Sequence, residues 1–254
     1  MEGKLNSILF GLLGKNISYS FSKNYFSKKF IDLKLEGYKY VNFDIEKIQD
    51  FPEILSEFKT ILKGCNVTIP YKESVFNYLD EVDTIASEIG AVNTIKFTND
   101  GRLVGYNTDV VGFENSLIPL LKKHHTKALI LGTGGASKAV AYVFKKLNID
   151  YYKISRNPKG STELPYADLS DKLLNECTIV VNCSPVGTYP NINEKPMIPY
   201  QFLTHKHLLY DLIYNPVETA FLLEGKKRGA LVKNGYEMLE LQAEESWRLW
   251  NNRL

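Results

Sequence analysis

The stretch "KALILGTGGASKAVAYVFKKLN", Lys127–Asn148, decides the fold. "KALILG" reads as a buried strand, and "GASKAVAYVFKKLN" reads as a helix. Gly132, Gly134 and Gly135 fall at the turn between them, the context in which a glycine-rich loop carries meaning. Gly132 permits the tight turn. Gly134 lets the backbone approach a pyrophosphate, which then rests on the helix N-terminus. The third glycine of the usual fingerprint is Ser137 here, a departure still small enough for close helix packing. A glycine turn without a ligand is the alternative. The complete strand–loop–helix–strand context favours a dinucleotide site over it.

Downstream the pattern stays βαβ. "YYKIS", "CTIVVN" and "HLLYDLI" read as strands, with "LSDKLLNE" and "VETAFLLEGKKRG" as helices between and after them. Alternation with short connections implies a parallel sheet covered on both faces. The strand after the glycine loop ends in "ISRNPK". An NAD site usually carries an acidic residue there to bond the ribose 2′-hydroxyl. This chain has Arg156, with Lys159 close behind. A guanidinium matches a 2′-phosphate through two parallel bonds, so NADP is favoured. The alternative is that Arg156 is a solvated loop charge.

Upstream a second α/β region appears. "SILFGLLG", "YKYVNFDI" and "GCNVTIP" read as strands, and "SKNYFSKKFIDLKLE" and "KIQDFPEILSEFK" as helices. "SVFNYLDEVDTIASEIG" is expected to be one helix that stops at Gly90. "AVNTIKF" and "RLVGYN" form a hairpin across "TNDG", whose Asp-Gly favours positive φ. "YEMLELQAEESWRLWNN" is a final amphipathic helix. The chain therefore reads as α/β with two domains. Residues 1–109 form a substrate-binding domain, and residues 110–234 a Rossmann-type, doubly wound NADP domain. Residues 235–254 form a last helix that returns to the first domain.

Composition narrows the class. The 254 residues suit one or two domains, with 44% hydrophobic and 24% charged residues and a net charge of +2. That balance gives no argument for nucleic-acid or membrane binding. The apolar run Ile8–Leu13 is too short for a membrane span and lacks a cleavage-site pattern. Three scattered cysteines make neither a disulfide framework nor a zinc site, and a reducing cytoplasm fits best. His124, His125, His205 and His207 show no metal-ligand spacing and read as surface imidazoles; no metal is expected.

Two polar clusters in the first region call for a reading. Ser18, Ser20 and Ser22 surround a turn before a helix, where serines cap helices or help to bind a carboxylate. Asn107-Thr108-Asp109 suits a helix N-cap. Asn66, Thr68, Lys72, Asn93 and Asp109 nevertheless all fall at or just beyond strand ends, where open α/β sheets bind ligands. A ring of amides, hydroxyls and charges suits a hydroxylated small molecule. In "CNVTIPYKE", Val67 and Ile69 are expected in the strand core, with Asn66 and Thr68 on the opposite face. Pro70 ends the run, and Lys72 is delivered beyond the strand's carboxyl end.

Taken in order, "GKNISYSFSKNYF", "GCNVTIPYKE", "GAVNTI", "GYNTDVVGF", "LGTGGASKA", "SRN", "VNCSPVGT", "YDLIYNPVETAFL" and "NGYEMLELQAEESWRLW" resemble the shikimate dehydrogenases. The resemblance runs from Gly14 nearly to the C-terminus. It implies NADP-linked interconversion of 3-dehydroshikimate and shikimate, a step toward chorismate and the aromatic amino acids. It further implies that Ser20 and Ser22 hold the substrate carboxylate, with Tyr214 on the same side. Asn66, Thr68, Asn93, Asp109 and Gln242 would bond the ring hydroxyls, and Lys72 and Asp109 would be the catalytic pair. Gly132, Thr133, Gly134, Gly135 and Ala136 would cradle the pyrophosphate. Ser155, Arg156 and Asn157 would hold the adenosine end, and Ile213 and Gly235 would lie near the nicotinamide. Members of the family occur as monomers and homodimers.

The chain departs from the family pattern at Asn16, Tyr19 and Lys23, where Pro, His and Pro are common. Changed loop rigidity is expected there. "SRN" replaces the family's "NRT", and Thr188 replaces a common Met. An NAD-using or dual-specificity quinate/shikimate dehydrogenase is the neighbouring alternative. A catalytically idle NADP-binding protein is the alternative from another class. The presence of Lys72 and Asp109 speaks against the second.

Overall fold

The computed structural model describes residues 7–18 and 20–251. Tyr19, one of the departures from the family pattern, lies outside them. Two compact units divide the chain. The first runs through Thr108 and resumes at Ala243, and the second is Asp109–Gln242.

The first unit is built on β1 (Ile8–Gly14), α1 (Phe21–Asp32), β2 (Tyr38–Asp44), α2 (Phe51–Glu57), β3 (Leu62–Val67), β4 (Glu81–Val82), α3 (Thr84–Ile89), β5 (Thr94–Phe97) and β6 (Leu103–Tyr106). Its sheet has the order β2-β1-β3-β5-β6-β4. β1 pairs in parallel with β2 and β3, while β5 runs antiparallel to β3 and to β6. β1 is "ILFGLLG" because it is central and covered on both faces, so no polar alternation is needed. One face packs Leu13, Phe51, Leu62, Cys65, Val75 and Ile95 together. The other packs Phe10, Phe26, Phe30 and Tyr40 with Ala243 and Trp250 of the last helix. Gly64 is required there. A Cβ on it would stand 2.2 Å from the Trp250 indole nitrogen, which donates to Ile95 O at 3.0 Å.

The second unit carries α4 (Asp109–Leu117), β7 (Lys127–Leu131), α5 (Gly135–Lys146), β8 (Asp150–Ser155), β9 (Glu163–Pro165), α6 (Asp171–Glu176), β10 (Ile179–Asn182), β11 (Leu208–Asp211), α7 (Ala220–Lys226) and β12 (Leu231–Lys233). α8 (Tyr236–Asn251) begins in this unit and ends in the first. All six strands pair in parallel in the order β12-β11-β10-β7-β8-β9. Numbered within the unit and read from the other edge, this is the 3-2-1-4-5-6 arrangement of dinucleotide-binding sheets. The order reverses between β7 and β10. A switch point of this kind opens a crevice at the strands' carboxyl ends.

Three expectations require correction. Residues 74–90 are not one helix but a 3₁₀ turn over Ser74–Tyr78, then β4, then α3. The aspartates break it. Asp80 accepts the Leu103 N–H at 2.8 Å, and Asp83 caps α3 by accepting the Ile85 N–H at 2.9 Å. Asp83 offers the backbone a local alternative to helix continuation, while Asp80 ties the segment to β6. Second, β3 ends at Val67, and Ile69 is 75% exposed rather than core. The turn that follows, with Tyr71 N–H donating to Thr68 O at 2.9 Å, carries Ile69 out of the sheet. Third, His125 and His207 are buried, while His124 and His205 are exposed. Each buried ring accepts one backbone N–H at Nδ1, from Lys122 and from Thr204. Each bonds a carbonyl through Nε2, those of Lys206 and Leu174. Neutral imidazole, with one donor and one acceptor, is satisfied by that pair. Burial accordingly holds both rings below the ordinary histidine pKa.

Candidate functional site

In the second unit the site begins at the glycine loop. Gly132 adopts φ +105°, a conformation that L side chains rarely take. A Cβ there would also press on Ser184 N at 3.3 Å, in the loop after β10. The loop therefore sits in the crevice of the switch point. Gly134 precedes α5, and a Cβ on it would meet nothing within 4 Å. No side chain caps this helix start. Of its first N–H groups, that of Ser137 donates to Gly134 O at 3.0 Å, and a helix N-terminus without a side-chain cap receives anions. Thr133, Gly135 and Ala136 complete the loop. Ser137 is fully buried, and its hydroxyl donates to Gly134 O at 2.6 Å, so the residue in place of the third glycine ties the loop to the helix.

At the end of β8, Asn157 N–H donates to Ser155 Oγ at 3.1 Å. That turn displays Arg156 as an exposed side chain, near enough to the Tyr166 phenol to act on its charge. Among the described residues no group of three or more His, Cys, Asp or Glu is placed to hold a metal.

A polar knot at the ends of β10 and β11 holds the segment expected beside the nicotinamide. Asp211, fully buried, accepts from Asn182 Nδ2 at 3.0 Å, Ile213 N at 3.1 Å and Thr219 Oγ1 at 2.6 Å. Ile213 O in turn accepts the Gly235 N–H at 3.1 Å. Gly235 has to be glycine, because a Cβ would stand 2.1 Å from Leu212 O. Burial pushes the Asp211 carboxyl up to about 6, and the three donors oppose that rise. A raised carboxyl favours the protonated folded form. Its stabilising share is therefore complete below pH ~4 and lost as pH rises through about 6. At 1.36 kcal/mol per unit, the cost above that window reaches roughly 3 kcal/mol at most. Asp211→Asn is expected to flatten the decline of Tm between pH 4 and pH 6.5, and parallel Tm curves for the two proteins would contradict this.

Gln242 is buried near the end of this unit, and its Nε2 donates to Leu239 O at 2.9 Å. It lies where α8 meets α4, at Gly112, where a Cβ would stand 2.5 Å from Met238 O. Tyr214 is half-buried in the loop after β11.

In the first unit the strand ends gather most of the other expected residues. Ser20 caps α1 by accepting the Lys23 N–H at 3.3 Å. Ser22 is buried on the first turn of α1. Asn16 adopts φ +56°, a left-handed conformation that asparagine tolerates and proline cannot reach. Asp44 holds it there by accepting the N–H groups of Asn16 and Ile17 at 2.8 and 3.1 Å. The departure at Asn16 thus changes the path of the backbone, beyond its rigidity.

Thr68 N–H donates to Leu13 O at 2.9 Å, which fixes Thr68 just past β3. Lys72 is half-buried, and its carbonyl accepts the Val92 N–H at 2.8 Å. Asn93 follows directly. Its Oδ1 accepts the Thr108 N–H at 2.7 Å, immediately before Asp109. Asn93 thus stands between the segment carrying Lys72 and the one leading to Asp109, which is itself buried at the start of α4.

Asn66, expected to bond ring hydroxyls, is 4% exposed, and its amide is engaged within the protein. Its Oδ1 accepts from Tyr40 OH at 2.8 Å. Its Nδ2 donates to Ser246 Oγ at 2.9 Å and Thr94 Oγ1 at 3.1 Å. The sequence reading took Thr108 only for part of a helix cap, and missed Thr94 and Ser246 behind the site and Asp211, Asn182 and Thr219 beneath the second-unit loop. Ser246 stands four residues after Gln242 on the same helix, a spacing that places both on one face and was legible. The knot around Asp211 left no such periodic signal.

Residues 12–95 match the family described as "Shikimate dehydrogenase substrate binding domain". A shikimate dehydrogenase (NADP(+)) of Methanococcus vannielii is 37% identical over 264 residues, covering 96% of this chain and 91% of that one. A crystal structure of a shikimate dehydrogenase in complex with NADP+ superposes with a TM-score of 0.84 at 32% identity, over 96% of this chain and 90% of the other. The Thermus thermophilus shikimate 5-dehydrogenase in complex with NADP(H) and shikimate gives a TM-score of 0.83 at 30% identity, over 96% and 93%.

Proposed function

The chain belongs to the shikimate dehydrogenase family, and from that premise we propose that it interconverts 3-dehydroshikimate and shikimate with NADP(H), using Lys72 and Asp109 as the catalytic pair. It is an oxidoreductase acting on a CH–OH group, in the route to chorismate and the aromatic amino acids. One observation carries the reading: the match covers 96% of the chain and so includes both units.

NADP(H), when bound, supplies the hydride chemistry. The uncapped N-terminus of α5 with Gly132–Ala136 suits its pyrophosphate, and Arg156 with Ser155 and Asn157 suits the 2′-phosphate end. Ile213 and Gly235 flank the nicotinamide, on the loop that Asp211 ties down. In the first unit, Ser20 and Ser22 receive the substrate carboxylate, with Tyr214 on the same side. Thr68, Asn93, Asp109 and Gln242 bond the ring hydroxyls. Asn66 acts behind them, since its amide is committed to Tyr40, Ser246 and Thr94.

In the reductive direction Lys72 donates a proton to the carbonyl oxygen as the new alcohol forms, and in the oxidative direction it accepts that proton. Asp109 orients the amine and shares a hydrogen bond with the reacting oxygen.

No helix among the described residues is long and apolar enough to cross a membrane. We place the enzyme in the cytoplasm, as a monomer or homodimer, with a small-molecule substrate and no nucleic-acid or membrane partner.

The test is nicotinamide absorbance with shikimate or quinate against NADP or NAD. Shikimate with NADP is expected to give the highest kcat/KM. Preference for quinate with NAD would support the neighbouring activity, and no change with any pair would support a binding protein.

A further inference from the structure

We infer that Asn182, at the end of β10, is a positioning residue for the nicotinamide half of the cofactor: its amide locks the loop after β10 to the end of β11. The inference rests on the proposed function, in which Ile213, just beyond β11, flanks the nicotinamide.

Asn182 is fully buried within the second unit. A group that can only donate fixes its orientation. The Ser184 backbone N–H lies 3.0 Å from one amide atom, so that atom is the carbonyl oxygen Oδ1. The Ser184 hydroxyl donates to the same oxygen at 2.7 Å. Nδ2 then meets two acceptors, Asp211 Oδ1 at 3.0 Å and Val186 O at 3.3 Å. The Asn182 main-chain carbonyl accepts the Leu212 N–H at 3.0 Å. Two bonds accepted and two donated use the whole capacity of the side-chain amide. An ionised carboxylate in its place would have no hydrogen to give to Asp211 or to Val186 O.

The two loops depend on this amide unequally. Beyond β11, Asp211 holds the Ile213 N–H directly at 3.1 Å and would do so without Asn182. Beyond β10 nothing takes its place. Among the described residues, Asn182 Oδ1 is the one acceptor that the Ser184 N–H and hydroxyl reach. The loop held in this way borders both cofactor-binding segments of the unit. At its start, Ser184 N would stand 3.3 Å from a Cβ on Gly132 of the glycine loop. At its bend, Gly187 adopts φ +100°, and a Cβ there would stand 3.9 Å from Ile213 Cδ1. Gly187 therefore lies beside the Ile213 side chain. Without Asn182 the Ser184–Gly187 loop loses its internal ties, and Ile213 loses a fixed neighbour. The turn that carries Arg156 is closed by its own bond, from Asn157 N–H to Ser155 Oγ. The adenosine end of the cofactor should therefore not feel the change.

Steady-state kinetics of the full-length enzyme separate the two ends of the cofactor. Adenosine 2′,5′-bisphosphate, which carries the 2′-phosphate and no nicotinamide, serves as a competitive inhibitor against NADP. Asn182→Ala is expected to lower kcat/KM for NADP by about tenfold or more, the effect of a small misplacement of reacting groups. The Ki of the bisphosphate is expected to stay within about twofold. Ser184→Ala, which removes one of the amide's bonds at a half-buried position, is expected to lower kcat/KM for NADP by about threefold, again with Ki unmoved. A structural role alone would lower Tm and leave both constants where they are. Should Asn182→Ala not fold, Ser184→Ala carries the test through the same two readings. Wild-type turnover of shikimate with NADP is scored first. With turnover present, an unchanged kcat/KM for NADP, or an equal loss in Ki for the bisphosphate, overturns the inference and leaves the function standing. Absence of wild-type turnover removes both.

Discussion

Lys72→Ala is expected to lower kcat by about 10²- to 10⁴-fold, the usual contribution of a positioned general acid–base group. Shikimate affinity, followed by calorimetry on the enzyme without turnover, should change little. Lys72 is half-buried just beyond the end of β3, and its carbonyl is tied to Val92, one residue before Asn93. That bond fixes the Lys72 backbone beside Asn93, the amide proposed to bond the ring. Lys72→Arg is expected to fail almost as badly. A guanidinium keeps its proton at every accessible pH and so can neither give nor take one. Retention of most of kcat in either variant would remove Lys72 from the mechanism.

The second large effect is at Arg156. Arg156→Ala is expected to raise the KM for NADP by roughly 10- to 100-fold, the loss of one charge-assisted contact with a phosphate. The KM for shikimate should hold, and the KM for NAD should barely move because NAD carries no 2′-phosphate. The preference between cofactors would therefore collapse in one substitution. The motivation is local. Ser155 and Asn157 close a turn that leaves the Arg156 side chain exposed beyond β8, at the place in the sequence where an NAD site usually carries an acidic residue. Equal rises for NADP and shikimate would mean that Arg156 supports the fold of the loop and does not read the phosphate.

Much of this architecture was legible in particular residues. "KALILGTGGASKA" announced the second unit because a strand, a glycine turn and a helix occupy consecutive positions, and the sheet has the arrangement that pattern implies. The N-cap of α1 at Ser20 and the C-cap of α3 at Gly90, with φ +68°, were likewise written in residue type. The failures came where side chains competed with periodicity. Residues 74–90 carry apolar residues at helical spacing, yet Asp83 satisfies the nearby Ile85 N–H and Asp80 the distant Leu103 N–H of β6, and together they split the segment. Ile69 looked like strand core, but the strand ends at Val67 and the turn exposes it. His125 and His207 looked like surface residues because sequence does not show that backbone groups will satisfy both ring nitrogens.

The site divided along similar lines. Positions near strand ends could be guessed from the fold, and their roles came from the family resemblance. What stands behind them could not be seen. The partners of Asn66 are Tyr40 on β2, Thr94 on β5 and Ser246 on α8, and no local pattern joins residues so far apart in the chain. Asn66 itself had the right position for a ligand contact and serves the network instead.

Transfer of label tests the central claim most directly. The enzyme would be given 3-dehydroshikimate and NADPH carrying deuterium at both nicotinamide C4 positions, and the product examined by mass spectrometry and NMR. The account predicts shikimate with one deuterium on the new carbinol carbon. Unlabelled shikimate, or no shikimate at all, would contradict it.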